Sequence, residues 1–390
     1  MEPVTHVLTG WCLARSGPNR RARYATATMA IAAELPDIDT VWGWRGPVEG
    51  FTHHRGITHT FVGLPVEAVV LVGGVWLWHR WRSRRAGMQG RERPRYEREA
   101  PVRWGLLYGF ALIGLLSHLL LDYTNNYGLR PFFPFDRHWY AGSIVFIFDP
   151  LIFVLLLLAL LIPSLLGFIA EEVGEPRRRR GQGWAIAALV SIVAYWGVRT
   201  WEHAQAVAIV MQQSIDAPMA QMAVTSAAQQ AAAAASGQTG DAPAALAPSD
   251  PAPVYLTPRR VLASPDPLSI FRWSTVADYG PVYQQAEVNT ADVTYSANPE
   301  LTAKPVQSAA VRAAEASPLG RAYIDWSPMP FVTAEPLPQP GAPDASVVLF
   351  EDPRFLGGYL AAHDRRALVG AVTVDAKGRV LEQALDGRVE

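Results

Sequence analysis

The sequence predicts a mainly α protein: a polytopic membrane helical bundle of about five spans plus a short N-terminal helix. A small β-rich domain outside the cytoplasm follows it. Three observations carry this expectation. Several apolar windows come near the ~20 residues that a helix needs to cross the hydrocarbon core. Arginine is distributed unevenly between the loops that join them. Composition also changes after residue 205, from Leu, Ile, Val, Trp and Arg to Ala, Pro, Gln, Asp and Val.

Taken in order, "PVTHVLTGWCLA" (3–14) is too short to span and reads as a half-helix or an interfacial one. A weaker span starts at Tyr24 and turns acidic halfway, which suggests a helix leaving the membrane near Pro36. "TFVGLPVEAVVLVGGVWLW" (60–78) carries Glu67 as its only charge. The windows 104–121, 150–170 and 184–201 complete the set. Core helices of a soluble protein are the alternative, but 150–170 has no polar face. Trp76, Trp78, Trp81, Trp104, Trp184 and Trp201 stand at segment ends, as an interfacial aromatic belt would.

If five helices alternate, loops 15–23, 79–103 and 171–183 share one side and hold 17 arginines. Loops 43–59 and 123–144 share the other and hold Arg45, Arg55, Arg130 and Arg137. The positive-inside rule puts the first set in the cytoplasm and the second outside, with everything after residue 202.

Three regions are expected: a membrane-embedded domain over 1–205, a helix extension and linker over 206–253, and a β-rich domain over 254–390. The linker is clearest from about Ser236, where Gly, Pro and Ser accumulate. In "ALVGAVTVDAKGRVLEQAL" two alternating strands flank a hairpin turn signal. "RWSTVADYGPVYQQAEVNTADVTY" is also strand-like. The expected roles of this domain are covering a site, choosing substrate or binding a protein partner. A passive exterior domain is the alternative.

Composition excludes some chemistry. A formal net charge of -1 argues against nucleic acid as a partner, since phosphate contacts need a basic field. The single cysteine, Cys12, allows no intrachain disulfide and no zinc–thiolate cluster, so any metal must be held by His and carboxylates. The first residues carry an acid where a secretory signal would carry bases, so no cleaved signal peptide is read.

Those ligand types converge on one side of the expected topology. Asp37 and Asp39 stand at the outer end of the first span; His53, His54 and His59 follow in the next outer loop. His118 and Asp122 end the 104–121 helix, and Asp149 opens the next. His6 joins them if the 3–14 segment enters from outside. His118 and Asp122, at i and i+4, share a helix face and can reach one ion. In "PDID" two carboxylates lie on the same side of an extended or turn segment and can bridge two cations. Gly56 lets the chain turn between His54 and His59, and Arg55 suits a phosphate, whose oxygens a guanidinium matches in pairs. Glu67 is a ligand, a general base or a buried partner for an arginine. Each set also has a plainer reading, as a helix-end cap or a polar patch.

The combination of His6, "LPDID", "HRGITH" and "LLSHLLLD" resembles the YdjM-like family of inner-membrane metal-dependent hydrolases over about residues 1–170. "FIFDPLIF" around Asp149 resembles a segment of its longer members. The family is distantly similar to the zinc-dependent phospholipases C and the related single-strand nucleases. The resemblance implies a multi-pass protein of the bacterial inner membrane. It also implies the ligands His6, Asp37, Asp39, His54, His59, His118 and Asp122. No His-x-x-x-Glu follows Asp122, unlike the phospholipase pattern, so one or two ions are expected rather than three.

The expected activity is hydrolysis of a phosphoester, lipid-linked by the location of the site, with zinc or manganese as the cofactor. Asp37 or Asp39 would bridge the ions, Arg55 would hold the phosphate, and Glu67 is the candidate base. The alternative is a non-catalytic metal-binding membrane protein, a sensor or scaffold with a partner-binding outer domain. Transport is disfavoured because, Glu67 apart, the ligands gather at one end.

Overall fold

A computed structural model describes residues 1–88, 100–172, 181–236, 254–305, 307–339, 341–357 and 367–389. The Gly/Pro/Ser-rich stretch after Ser236 and His363 lie outside the described residues. The chain divides into two compact units, one of 1–40 with 55–200 and the other of 41–54 with 201–390.

The first unit is helical. Helix α1 (Pro3–Arg15) begins at Pro3 because Glu2 accepts hydrogen bonds from the Val4 and Thr5 main-chain nitrogens, at 2.7 and 2.8 Å. Its 13 residues give about 20 Å, short of the ~30 Å hydrocarbon core. Helix α2 (Ala25–Ala32) is shorter still, and the chain continues as 3₁₀ turns over Leu35–Arg45. The weak fifth span expected from Tyr24 is therefore broken. Its apolar stretch is short, and Pro36 disfavours helical geometry at Leu35.

Helix α3 (Pro47–His53) is brief and belongs to the second unit. The long helices are α4 (Gly63–Met88), α5 (Trp104–Thr124), α6 (Pro150–Glu172) and α7 (Gln182–Met211). Three of them are long and apolar enough to cross a membrane: α5, α6 over Pro150–Gly167, and α7. A fourth span arises only if α4 is joined to the short helical segments before it. Their outer faces are apolar: Val66, Val69 and Val70 on α4, Leu158, Leu161 and Leu165 on α6, and Val190 and Val193 on α7 are all exposed. Such faces match lipid and would be poorly accommodated by water.

Small residues bring α1, α2 and α5 together. A Cβ at Gly10 would lie 2.8 Å from Ala33 Cβ, and one at Gly114 would lie 2.8 Å from Ala32 Cβ. Where lipid gives helices no hydrophobic drive to associate, such close approach supplies the packing.

In the second unit, helix α8 (Ala217–Ser236) occupies residues expected as helix extension and linker. Strand β1 (Ile215–Asp216) separates it from α7 and pairs with β2 (Tyr255–Leu256), which follows α8. The first antiparallel sheet is β3 (Arg260–Pro265), β4 (Arg272–Asp278), β5 (Val282–Asn289) and β6 (Thr294–Ala303), in sequence order. Trp273, Tyr279, Val282 and Val288 form part of its core. Helices α9 (Ala309–Glu315) and α10 (Pro318–Trp326) lead into the second sheet. That sheet runs β7 (Phe331–Pro336), β8 (Ser346–Glu351), β9 (Gly370–Val374), β10 (Val380–Leu385) and β11 (Arg388–Val389). The expected hairpin at "DAKG" is β9–β10, where Asp375 Oδ1 accepts from Lys377 and Arg379 main-chain nitrogens. The C-terminal region is β-rich, as its alternation predicts.

Candidate metal centre

Four ligand atoms meet inside the first unit, from Asp37, His59, His118 and Asp122, all within 4.8 Å of one another. The Nε2 atoms of His59 and His118 are 3.1 Å apart. Asp37 Oδ1 lies 3.2 Å from His59 Nε2 and 3.6 Å from His118 Nε2. Asp122 Oδ2 lies 3.6 and 3.5 Å from the same two nitrogens. A tetrahedron of ligands about 2.0–2.1 Å from its centre has edges of about 3.3–3.4 Å, so these separations fit a four-coordinate divalent ion.

The orientation of the imidazoles fits as well. His118 Nδ1 lies 2.8 Å from the Ala33 carbonyl oxygen, which can only accept, so Nδ1 donates. A neutral His118 then presents a lone pair at Nε2. His59 Nδ1 is turned toward Asp39 Oδ2 at 3.3 Å and Thr58 Oγ1 at 3.1 Å, leaving its Nε2 toward the centre too. Outer acceptors that fix the tautomer of a histidine in this way are the usual support of a metal ligand. His59, His118 and Asp122 are fully buried. Two carboxylates in such a space call for compensating positive charge, from Arg55, from protonated imidazoles or from a bound cation, since uncompensated buried charge costs several kcal/mol.

Each ligand is placed by its local chain. His118 and Asp122 lie on one face of α5, as their spacing predicts. The chain after α5 folds back through Asn125, whose side chain donates to Asp122 Oδ1 at 3.3 Å and accepts from the Tyr127 nitrogen at 2.8 Å. Asp39, which with Asp37 also belongs to a group able to hold a metal ion, accepts from the Arg55 main-chain nitrogen at 2.7 Å and from Thr58 Oγ1 at 3.3 Å. Arg55 adopts φ 54°, the left-handed region, which that hydrogen bond helps to hold.

Electrostatics follow this geometry. In the metal-free protein burial works to raise the Asp37 carboxyl, but hydrogen bonds from His118 and His59, which carry a proton at Nε2 when no cation takes that position, outweigh it and hold the group well below the usual carboxylate range. Burial, with the Asp37 charge beside it, pushes Glu34 up to about 7.

Other residues singled out by sequence lie around this centre. His6 stacks on His118 with ring centroids 3.9 Å apart, and its Nε2 is 3.4 Å from Asp122 Oδ1. The Met1 amino group also contacts Asp122 Oδ1. The Arg55 guanidinium is buried against Asp122 Oδ1 at 2.9 Å and the Gly128 carbonyl at 2.5 Å, over the Tyr127 ring. Glu67 is within electrostatic reach of His59, His118 and Asp39, and its carboxylate oxygens are buried without a hydrogen-bond partner among the described residues. Asp149 is used differently: Oδ1 accepts from the Leu151 and Ile152 nitrogens, capping α6, and Oδ2 accepts from Tyr195. His54 belongs to the second unit and is not counted in this cluster. Sequence reading did not single out Ala33, Thr58 or Asn125. Only Asn125 left a sign, as part of the polar "TNNYG" closing an apolar helix.

Fold and centre together define a membrane-helical protein with a buried cluster of aspartates and histidines that could bind a metal ion. The chain belongs to the YdjM inner membrane protein family, whose family model matches residues 1–206. It is also similar to the uncharacterized protein YfhP of Bacillus subtilis (strain 168), at 26% identity over 163 residues. That match covers 40% of this chain and 43% of the relative, so less than half the relative's length is spanned. No solved structure matches the chain.

Proposed function

We propose that the protein is a membrane-bound, metal-dependent hydrolase acting on a phosphoester, with a divalent ion held by Asp37, His59, His118 and Asp122. The observation that carries this reading is the set of 3.1–3.6 Å separations among four inward-facing ligand atoms. Zinc fits the mixed N/O set best, with manganese second, and a second ion would need further ligands from His6, Asp39 or His54. A divalent ion supplies Lewis-acid polarisation of a phosphoryl oxygen and acidifies water near neutral pH.

The side chains have separate tasks. Ala33 and Asp39 fix the two imidazoles. Arg55 positions Asp122 and offsets its charge, and His6 packs against the His118 ring. Glu67, with no hydrogen bond to release, is placed to take a proton. The arginine-rich loops support an orientation with the ligand end of the bundle at the outer face of the inner membrane. With α1 and α2 as a hairpin beside four spans, loops 15–23, 79–103 and 171–183 still share one side. A substrate in the outer leaflet, lipid-linked or a head group, suits that location.

One observation favours a second reading, a non-catalytic metal-binding sensor or scaffold. The Arg55 guanidinium is buried on Asp122 and Gly128 rather than turned toward a substrate. Metal analysis of the purified protein, followed by a phosphoester and lipid panel with and without chelator, separates the readings. Turnover that chelation and His118→Ala both abolish supports the hydrolase. Tight metal without turnover supports the sensor or scaffold. Absence of metal under all loading conditions overturns both.

A further inference from the structure

We infer that the arginine-rich end of the first unit binds a phosphate-bearing anion in a cavity separate from the metal centre. The cavity has a volume of about 480 Å³ and is lined by Arg15, Arg20, Arg23, Tyr24, Thr26 and Gln182, among others. That size suits a phosphate-bearing head group or a small phosphate ester. It lies where α1 ends and α2 begins, so nine residue steps of α1, roughly 14 Å along the helix, separate Arg15 from His6.

The walls are organised before any ligand arrives. Arg15 is pinned on α6, donating from Nη1 to the Leu160 carbonyl at 3.0 Å and from Nη2 to Ser164 Oγ at 3.2 Å. Gln182 is fixed through Nε2 to the Ser16 carbonyl at 2.6 Å. The Arg23 guanidinium lies 5.0 Å over the Tyr24 ring. Tyr24, at φ 70°, starts α2 without a side-chain cap, and the first turn of that helix forms part of the lining. A helix start offers main-chain N–H groups and a positive dipole end to an anion, and guanidinium matches phosphate oxygens in pairs. No Asp or Glu lines the cavity among the described residues. Arg20 and Arg23 between the helices, the fixed positive charge of Arg15, a helix start and a preset cavity thus supply one chemistry from several directions. The ligand class is a phosphate monoester or diester, from either a lipid head group or solution.

The test uses the full chain purified in detergent, followed by thermal unfolding. One arm adds phosphatidylglycerol against an equal amount of phosphatidylcholine. The other adds inorganic phosphate or pyrophosphate against chloride of equal ionic strength. The variants are Arg23→Gln and Ala27→Asp. Ala27 is exposed in the first turn of α2, where an acid favours the helix dipole, so A27D should fold while repelling an anion. The expected result is stabilisation by one of the two sources, with apparent affinity weakened tenfold or more in both variants and metal content unchanged. Stabilisation by phosphatidylglycerol alone assigns a lipid head group; stabilisation by the inorganic ions assigns a soluble phosphate. Stabilisation that A27D retains in full, or no response to any probe, overturns the proposal. Neither outcome bears on the metal centre.

Discussion

Gly114→Ala adds one methyl group to α5, one turn before His118. That methyl would stand 2.8 Å from Ala32 Cβ and 2.9 Å from the Met29 carbonyl oxygen. Carbon atoms rest at about 3.5–4.0 Å, so α2 must retreat by roughly 0.7–1.2 Å at this contact. The neighbouring residue, Ala33, carries the carbonyl that holds His118 Nδ1 at 2.8 Å. The same retreat stretches that hydrogen bond to about 3.5 Å or more, beyond useful range. Losing such a support typically weakens metal affinity about 10–100-fold, or roughly 1.4–2.8 kcal/mol. Overpacking alone costs about 1–3 kcal/mol, so both routes give the same scale. Gly109→Ala is the control, since a methyl there meets nothing within 4 Å on the same helix. The assay is competition between the purified variants and a chelator of known affinity, with helix content checked by circular dichroism. If a folded G114A holds metal like the wild type, or G109A loses as much, the account of α2 as a support for His118 is wrong.

Asp122→Ala strips the buried Arg55 guanidinium of its carboxylate and should destabilise the metal-free protein by about 3–5 kcal/mol, read as a drop in unfolding temperature. A change under 1 kcal/mol would show that this pair is not buried as described. Asp39→Ala should weaken metal about 10–100-fold without abolishing it, whereas Asp149→Asn should leave metal content unchanged and loosen the start of α6 by about 0.5–2 kcal/mol. Equal metal loss in both variants would refute the distinction between support and helix cap. The Asp37 carboxyl is depressed in the folded state, so its ionised form stabilises the metal-free protein above an unfolded value of about 3.9 and the contribution is lost as pH falls below it. Unfolding temperature should therefore drop on acidification more steeply in the wild type than in Asp37→Asn; parallel profiles would sink the point. His54→Ala, scored by metal stoichiometry, tests the ligand role that its motif suggests.

Much was legible in the chain itself. The apolar windows located α5, α6 and α7, since covering a bilayer core sets a length and composition that few other contexts demand, whereas α4 meets that test only together with the segments before it. The alternation around "DAKG" marked the β9–β10 hairpin. His118 and Asp122 could be paired from spacing alone, because helical geometry is local. Asp37 and His59 were marked as ligands by residue type and motif. What spacing could not show was which other contacts each carboxylate makes. Asp39 and Asp149 are the same side chain as Asp37, yet one holds His59 and the other caps α6. That difference depends on which main-chain nitrogens and rings arrive from elsewhere in the chain.

Sequence by itself therefore determined that this is a helical membrane protein carrying aspartates and histidines able to serve as ligands. Those properties follow from side-chain chemistry and from periodicities only a few residues long. Only the tertiary structure decided that four ligand atoms close to 3.1–3.6 Å of their neighbours, that the Ala33 carbonyl orients His118, and that Arg55 is buried on Asp122. Each is a contact between segments far apart in the chain, and it exists because small residues such as Gly10 and Gly114 let the helices approach closely enough to make it.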